Sequence, residues 1–169
     1  MTEQTQERHI LAVLVDNEAG VLGRVVGLFS GRGYNIDSLT VSEVDKEKGL
    51  SRITITTLAE RKVVDHIVTL IERIVPVHKV HNLTVDGAYV ERTLALVKVK
   101  AVTAKRAEIL HLADSFKAKE VDSTEKSFVF EIADNPSLVN EFLASMQQYG
   151  ILEFSRTGIT AIARGAEEF

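Results

Sequence analysis

Residues 14–41, LVDNEAGVLGRVVGLFSGRGYNIDSLTV, constrain the fold more than any other part of the chain. They read as the end of a strand, a turn, a helix, a glycine-rich turn and a second strand. The strand is the apolar run HILAVLV at 9–15, too short for a typical helix and apolar on both alternating sets, as expected of a strand in the middle of a sheet. Asp16-Asn17-Glu18 breaks it. From about residue 20 to 30, Val21, Val25 and Leu28 recur at helical spacing, and Leu22, Val26 and Phe29 widen the stripe. Gly23 and Gly27 each cost about 1 kcal/mol of helix propensity relative to Ala, and close packing of the helix on the sheet is the expected return. Gly31-Arg32-Gly33 ends the helix with residues that tolerate φ > 0.

The pattern continues. Strands are expected at about 34–44 and 51–58, joined by the polar turn DKEKG at 45–49. Ile53 and Ile55 alternate with Arg52, Thr54 and Thr56, predicting an antiparallel hairpin with one wet face. A helix at about 62–75 carries Val63, Ile67, Leu70, Ile71 and Ile74 and stops at Pro76; a strand at 77–85 follows. After Asp86-Gly87-Ala88 the order repeats, with a strand at 92–101, a helix at 104–116, and a hairpin of 119–123 and 127–133. Asn135-Pro136 marks a helix start, and a last strand at 151–162 is interrupted at Thr157-Gly158. The expectation is an α+β chain of two tandem ferredoxin-like βαββαβ units, 1–86 and 87–169, with antiparallel sheets and helices on one face. Open sheet edges call for a partner, and a homodimer is the natural remedy.

Charge and composition remove several functions. The net charge of −4 argues against nucleic acid and anionic membranes. With no cysteine, thiolate metal sites and thiol nucleophiles are excluded. The polar start MTEQTQERH lacks a secretory apolar segment, and no apolar run approaches the roughly 20 residues of a membrane span, so a cytoplasmic protein is expected. His78 and His81 fall on opposite faces of a strand and make no metal site. His9, His66 and His111 are expected at the surface or boundary, and Asp16 and Glu18 as a solvated pair. Ser30, Ser38 and Ser42 have no base at recognisable spacing. GVLGRVVG does not fit a nucleotide-binding glycine pattern. Arg24, Arg32, Arg52 and Arg92 read as solvated charges or as contacts to a partner. A βαββαβ RNA-binding module is a runner-up, but its base-stacking strands carry aromatics. Here those strands read ILAVLV and RITITT, and only Phe128 and Phe130 occur in the second half. No catalytic residue and no metal ligand are expected.

The strongest constellation is Asn17, Gly20 and the amides of Val21 and Leu22, with Asn35 and Ile36. A helix N-terminus offers unpaired N–H groups and about half a positive charge, which suit a carboxylate. Gly20 permits close approach of a ligand. An asparagine can meet either an ammonium or a carboxylate. Val21, Leu22 and Ile36 would face a short aliphatic side chain. The same residues also read as a plain N-cap, a turn asparagine and a turn glycine, and spacing leaves both readings open.

The stretch NEAGVLGRVVGLFSGRGYNIDSLTV resembles the ACT domain of the small regulatory subunit of acetohydroxyacid synthase (acetolactate synthase). Leu50-Ser51-Arg52-Ile53-Thr54, the segment YVERTLALVKV at 89–99, and Ser155-Arg156-Thr157-Gly158 extend the likeness over nearly the whole chain. The resemblance implies that the first half is an ACT domain that dimerises and binds a branched-chain amino acid, chiefly valine, at the dimer interface. Asn17, Gly20, Val21 and Leu22 of one subunit would then face Asn35 and Ile36 of the other. It also implies a chain without cofactor or chemistry of its own, which activates a large catalytic subunit and confers feedback inhibition. That partner would carry thiamine diphosphate, Mg and FAD, and would condense pyruvate with pyruvate or 2-oxobutyrate. The polar residues 1–8 and the DKEKG turn depart from the family pattern; the turn bears on contacts to the partner. A generic ACT sensor of another amino-acid pathway is the alternative within the fold.

Overall fold

The computed structural model describes residues 6–166 and residue 169. The chain divides into two units, residues up to Val90 with Ile159–Phe169, and Glu91–Gly158. The tail from Ile159 reads in sequence as part of the second half; its contacts group it with the first.

The first unit runs β1 (Glu7–Asp16), α1 (Val21–Ser30), β2 (Ser38–Asp45), β3 (Leu50–Ala59), α2 (Arg61–Glu72), β4 (Val77–Asn82) and a one-turn helix α3 (Leu83–Asp86). Its sheet has the order β2-β3-β1-β4, all pairs antiparallel. The apolar run makes β1 central. Leu11, Val13 and Val15 pack with Val25, Phe29, Ile67 and Ile71 of α1 and α2, while Ile10 and Ala12 pack on the other face with Leu83, Ile159 and Ala161.

Several expectations are corrected here. The second strand begins at Ser38 rather than near Tyr34, because the chain is still closing α1: Tyr34 N–H returns to the Phe29 carbonyl at 3.0 Å, with Gly33 at φ 70°. The fourth strand stops at Asn82, where the chain turns into α3 to bury Leu83. The predicted wet face is covered. Thr54 and Thr56 are only 3% and 2% exposed. They pair with Ala12 and Ile10, on the face where the tail residues Ile159 and Ala161 pack. The tail is tied down where Ile159 N–H donates to Ser38 Oγ at 3.2 Å and Arg52 Nη2 donates to the Ala161 carbonyl at 2.8 Å. Arg52 is therefore a clamp rather than a solvated charge. Its guanidinium lies 4.2 Å from the Phe169 ring centroid, and burial lowers its pKa from the ordinary value. His9 is buried, not superficial, with Nδ1 at 3.1 Å from Asn82 Nδ2. Gly23 and Gly27 have open space where a Cβ would stand, so packing on the sheet is not their reason.

The second unit takes up β5 (Tyr89–Lys100) from Glu91 onward. It continues through a 3-10 turn at Thr103–Lys105, α4 (Arg106–Ser115), β6 (Lys119–Ser123), β7 (Ser127–Asp134), α5 (Pro136–Met146) and β8 (Ile151–Arg156). The sheet order β6-β7-β5-β8 repeats the first unit's arrangement. Phe128, Phe130, Phe142 and Met146 fill its core. Asn135 caps α5 as expected: its side chain accepts from Leu138 N–H at 2.9 Å, with Pro136 in the first position. Arg156 closes the unit by donating to Thr93 Oγ1, Asn140 Oδ1 and the Pro136 carbonyl. The predicted last strand is two, β8 and, after Thr157-Gly158, β9 (Thr160–Ala163), which belongs to the first unit.

Candidate functional site

In the first unit, β1 delivers the chain to the start of α1 through Asp16–Gly20. Asn17 N–H donates to the Gly49 carbonyl at 2.6 Å, which ties this turn to the β2–β3 hairpin. That hairpin is closed by Asp45, whose carboxyl is held below its ordinary pKa chiefly by the Lys48 backbone N–H. Asp16 does not form a solvated pair with Glu18; its Oδ1 meets His78 Nε2 at 2.6 Å. Gly20 is the cap residue of α1 at φ 87°, a left-handed conformation that favours glycine, and no side chain caps the helix. The first turn contains no acidic residue. The Val21 N–H makes a long hydrogen bond, 3.5 Å, to the Glu18 carbonyl, and a helix start of this kind carries a partial positive charge.

The expected site residues fall into two groups. Asn17, Gly20, Val21 and Leu22 stand at the start of α1. Val21 is buried among the core residues, so its side chain is closed to solvent and only its amide lies at the helix start, whereas the Leu22 side chain is exposed. Asn35 and Ile36 stand before β2, at the other end of the unit. There the Asn35 carbonyl accepts from Thr57 Oγ1 at 2.6 Å, and Ile36 packs partly on the core. The interval on β3 from Leu50, beside Asn17, to Thr57, beside Asn35, spans about 23 Å at 3.3 Å per residue. One chain therefore holds the two groups apart. A pocket of about 340 Å³ beside Asn35 is lined in part by Tyr34, Asp37, Glu60 and Val63.

Two acidic side chains unmarked by sequence reasoning touch the asparagines. Asn17 Nδ2 donates to Glu43 Oε1 at 3.2 Å, and Asn35 Nδ2 donates to Asp37 Oδ1 at 2.8 Å. Asp37 lies two residues from Asn35 and could have been flagged as an Asx-type neighbour. Glu43 is distant in sequence and comes near only through the hairpin register.

Other candidates recede. His78 meets Asp16 and His81 packs edge-on against Phe169 at 5.0 Å, so the two do not converge. Among the described residues no group of three His, Cys, Asp or Glu side chains is placed to hold a metal. Phe128 and Phe130 are buried, Phe128 against Phe130 and Phe130 against Phe142, and cannot stack on bases. No helix of the described residues is long and apolar enough to cross a membrane.

Comparison with known proteins finds two family matches along the chain. A family described as the AHAS small subunit-like ACT domain matches residues 11–79, and one described as the small subunit of acetolactate synthase matches residues 92–165. A probable acetolactate synthase small subunit of Archaeoglobus fulgidus is 42% identical over 158 residues, covering 94% of this chain and 98% of that protein. The acetolactate synthase isozyme 3 small subunit of Escherichia coli is 40% identical over 159 residues, covering 94% and 96%. The crystal structure of the acetolactate synthase small subunit of Thermotoga maritima superposes with a TM-score of 0.86 at 33% identity, over 95% of this chain and 99% of that one. With matches in both units and relatives aligned over nearly their full length, the chain belongs to the acetolactate synthase small-subunit family, and its first unit is an ACT domain.

Proposed function

We propose that this chain is the non-catalytic regulatory subunit of an acetolactate synthase, a cytoplasmic protein that binds valine or a related branched-chain amino acid between two copies of itself. It activates the thiamine-diphosphate-dependent catalytic subunit and confers feedback inhibition on it; Mg and FAD belong to that partner. The observation that carries the ligand reading is the uncapped start of α1 at Gly20, with its asparagine partner group about 23 Å away in the same chain. A two-fold axis reunites them. β2 is an edge strand, and Val41 and Val44 on it are 43% and 51% exposed. Antiparallel pairing of two β2 edges sets the end of one strand beside the start of the other, about 4.8 Å away. Asn17, Gly20 and the Val21 and Leu22 amides of one copy then face Asn35 and Ile36 of its partner. The ligand carboxylate takes the α1 amides, and its alkyl group lies against Leu22. The open sides of Gly23 and Gly27 leave room for close approach of the second copy.

Calorimetric titration of the full chain with valine, leucine, isoleucine and a charged amino acid tests the reading, alongside inhibition of the reconstituted synthase. Saturable binding of the branched-chain amino acids and not of the charged one is expected, with one site per interface half. A holoenzyme whose activity ignores all of them would overturn it. A generic ACT sensor of another pathway has no observation in its favour, since the second unit matches the same family.

A further inference from the structure

The two asparagines of the proposed site share one feature that neither turn requires. Each donates its side-chain NH₂ to an acidic side chain of its own chain, Asn17 to Glu43 and Asn35 to Asp37. An ionised carboxylate only accepts hydrogen bonds, so the amide orientation is set: the nitrogen faces the acid and Oδ1 faces away. Among the described residues no donor is placed on either Oδ1. Asp37 directly precedes β2 and Glu43 lies near its end, so the two acids flank one edge strand.

We propose that Glu43 and Asp37 are positioning residues that determine the chemical class of the effector, selecting an α-amino acid over the 2-oxo acid of the same carbon skeleton. The inference rests on the effector-site reading above. Amino acid and 2-oxo acid present the same carboxylate to the α1 amides and the same alkyl group to Leu22, so neither contact separates them. They differ only at Cα. An ammonium brings donors and a positive charge, and it meets two outward carbonyl oxygens with two carboxylates behind them. A keto oxygen brings only lone pairs and meets the same two acceptors, an unpaired arrangement. Were the amides reversed, the preference would reverse with them. A regulator of this polarity responds to the product of an amino-transfer reaction and ignores the 2-oxo acid consumed by that reaction.

The test compares valine with 3-methyl-2-oxobutanoate, by calorimetry on the full chain and by inhibition of the reconstituted synthase, in wild type, Glu43→Gln, Asp37→Asn, Asn17→Ala and the double variant Glu43→Gln/Asn17→Ala. Wild type is expected to prefer valine by at least about tenfold. Glu43→Gln and Asp37→Asn, whose amides accept either orientation, should each cut that preference several-fold. Because Glu43 acts through Asn17, the double variant should discriminate no worse than Asn17→Ala alone. A preference unchanged in both acid variants overturns the proposal, and so does a further loss in the double variant, which would mean a direct charge effect. Gly20→Asp separates the two levels of failure. If it binds valine as wild type does, the site itself is misplaced and the inference falls with it. If it abolishes binding while the acid variants keep wild-type discrimination, the site stands and only the positioning role is lost.

Discussion

The first helix of one unit and the last helix of the other begin in opposite ways. In the first unit α1 starts on Gly20 with no side-chain cap and no acid in its first turn. In the second unit the corresponding helix α4 also lacks a side-chain cap but carries Glu108 in its first turn, where the carboxylate accepts from Lys105 Nζ and Tyr149 OH, each at 2.8 Å. Its neighbour α5 is capped by Asn135 and opened by Pro136. With Gly20 as the cap residue, the missing side chain costs only about a few tenths of a kcal/mol. The edges differ too. β2, SLTVSEVD, exposes two valines, Val41 and Val44, whereas β6, KEVDS, exposes only Val121 and flanks it with charges that keep an edge from pairing. The same element order thus carries two different sets of helix starts and two different edge strands.

The sharpest way to break the comparison is to give α1 what α4 already has. Gly20→Asp places a carboxylate at the α1 start, into open space and at a φ that Asp tolerates better than most residues. Valine affinity should fall by at least about 100-fold with circular dichroism unchanged, on the scale of losing a charged ligand contact. Full retention would erase the contrast between the helices. At the edges, Val41→Glu should give β2 the character of β6 and shift the protein from dimer to monomer, raising the dissociation constant by about tenfold or more in sedimentation equilibrium. A dimer unaffected by this change would move the interface off β2.

Smaller effects sharpen the picture. Arg52→Met removes a hydrogen bond and a cation–π contact that hold the tail, and should cost about 1–2 kcal/mol in urea unfolding. Asn135→Ala should cost about 1 kcal/mol by stripping the α5 cap. Asn17→Ala, where no cap bond exists, should stay within about 0.5 kcal/mol while weakening valine binding. Equal stability losses at the two asparagines would mean that α1 is capped in solution. Last is a pH signature in the second unit. Tyr149 is raised from its ordinary pKa because it donates to Glu108, and Glu108 is lowered chiefly by Lys105 and then by Tyr149. The Tyr149 contribution is present below about pH 10 and is lost as pH rises through the raised folded value. The Glu108 contribution is present above about pH 4.3 and is lost as pH falls through its lowered folded value. Glu108→Gln should return the Tyr149 titration, followed by NMR, towards the ordinary value.

Much of this molecule could be read from local pattern. The apolar run 9–15 became the central strand β1, the DKEKG segment became a turn closed by Asp45 and Lys48, and Asn135-Pro136 became a capped helix start. Alternation and capping act over a few residues, so sequence carries them directly. The candidate site was legible as a list, because a glycine before an apolar helix and an asparagine after a glycine turn are both local signals.

What sequence alone did not decide depends on contacts between distant residues. The pattern of Arg52, Thr54 and Thr56 says only that one face of β3 is polar. Whether that face meets water is settled by the tail, which lies more than 100 residues away and arrives as β9 with Ile159 and Ala161. Glu43 reaches Asn17 only because the β2–β3 register and the Asn17–Gly49 bond bring that hairpin end to the start of α1. The amino-acid sequence by itself determined the two successive runs of βαββαβ elements and the capped start of α5, whereas the missing side-chain cap on α1 and the edge position of β2 came only with the structure. Tertiary structure decided which polar face is covered, which carboxylate holds each asparagine, and that the two halves of the candidate site lie at opposite ends of the unit. Periodicity is a one-dimensional record of burial, whereas register and chain return are set by packing in three dimensions.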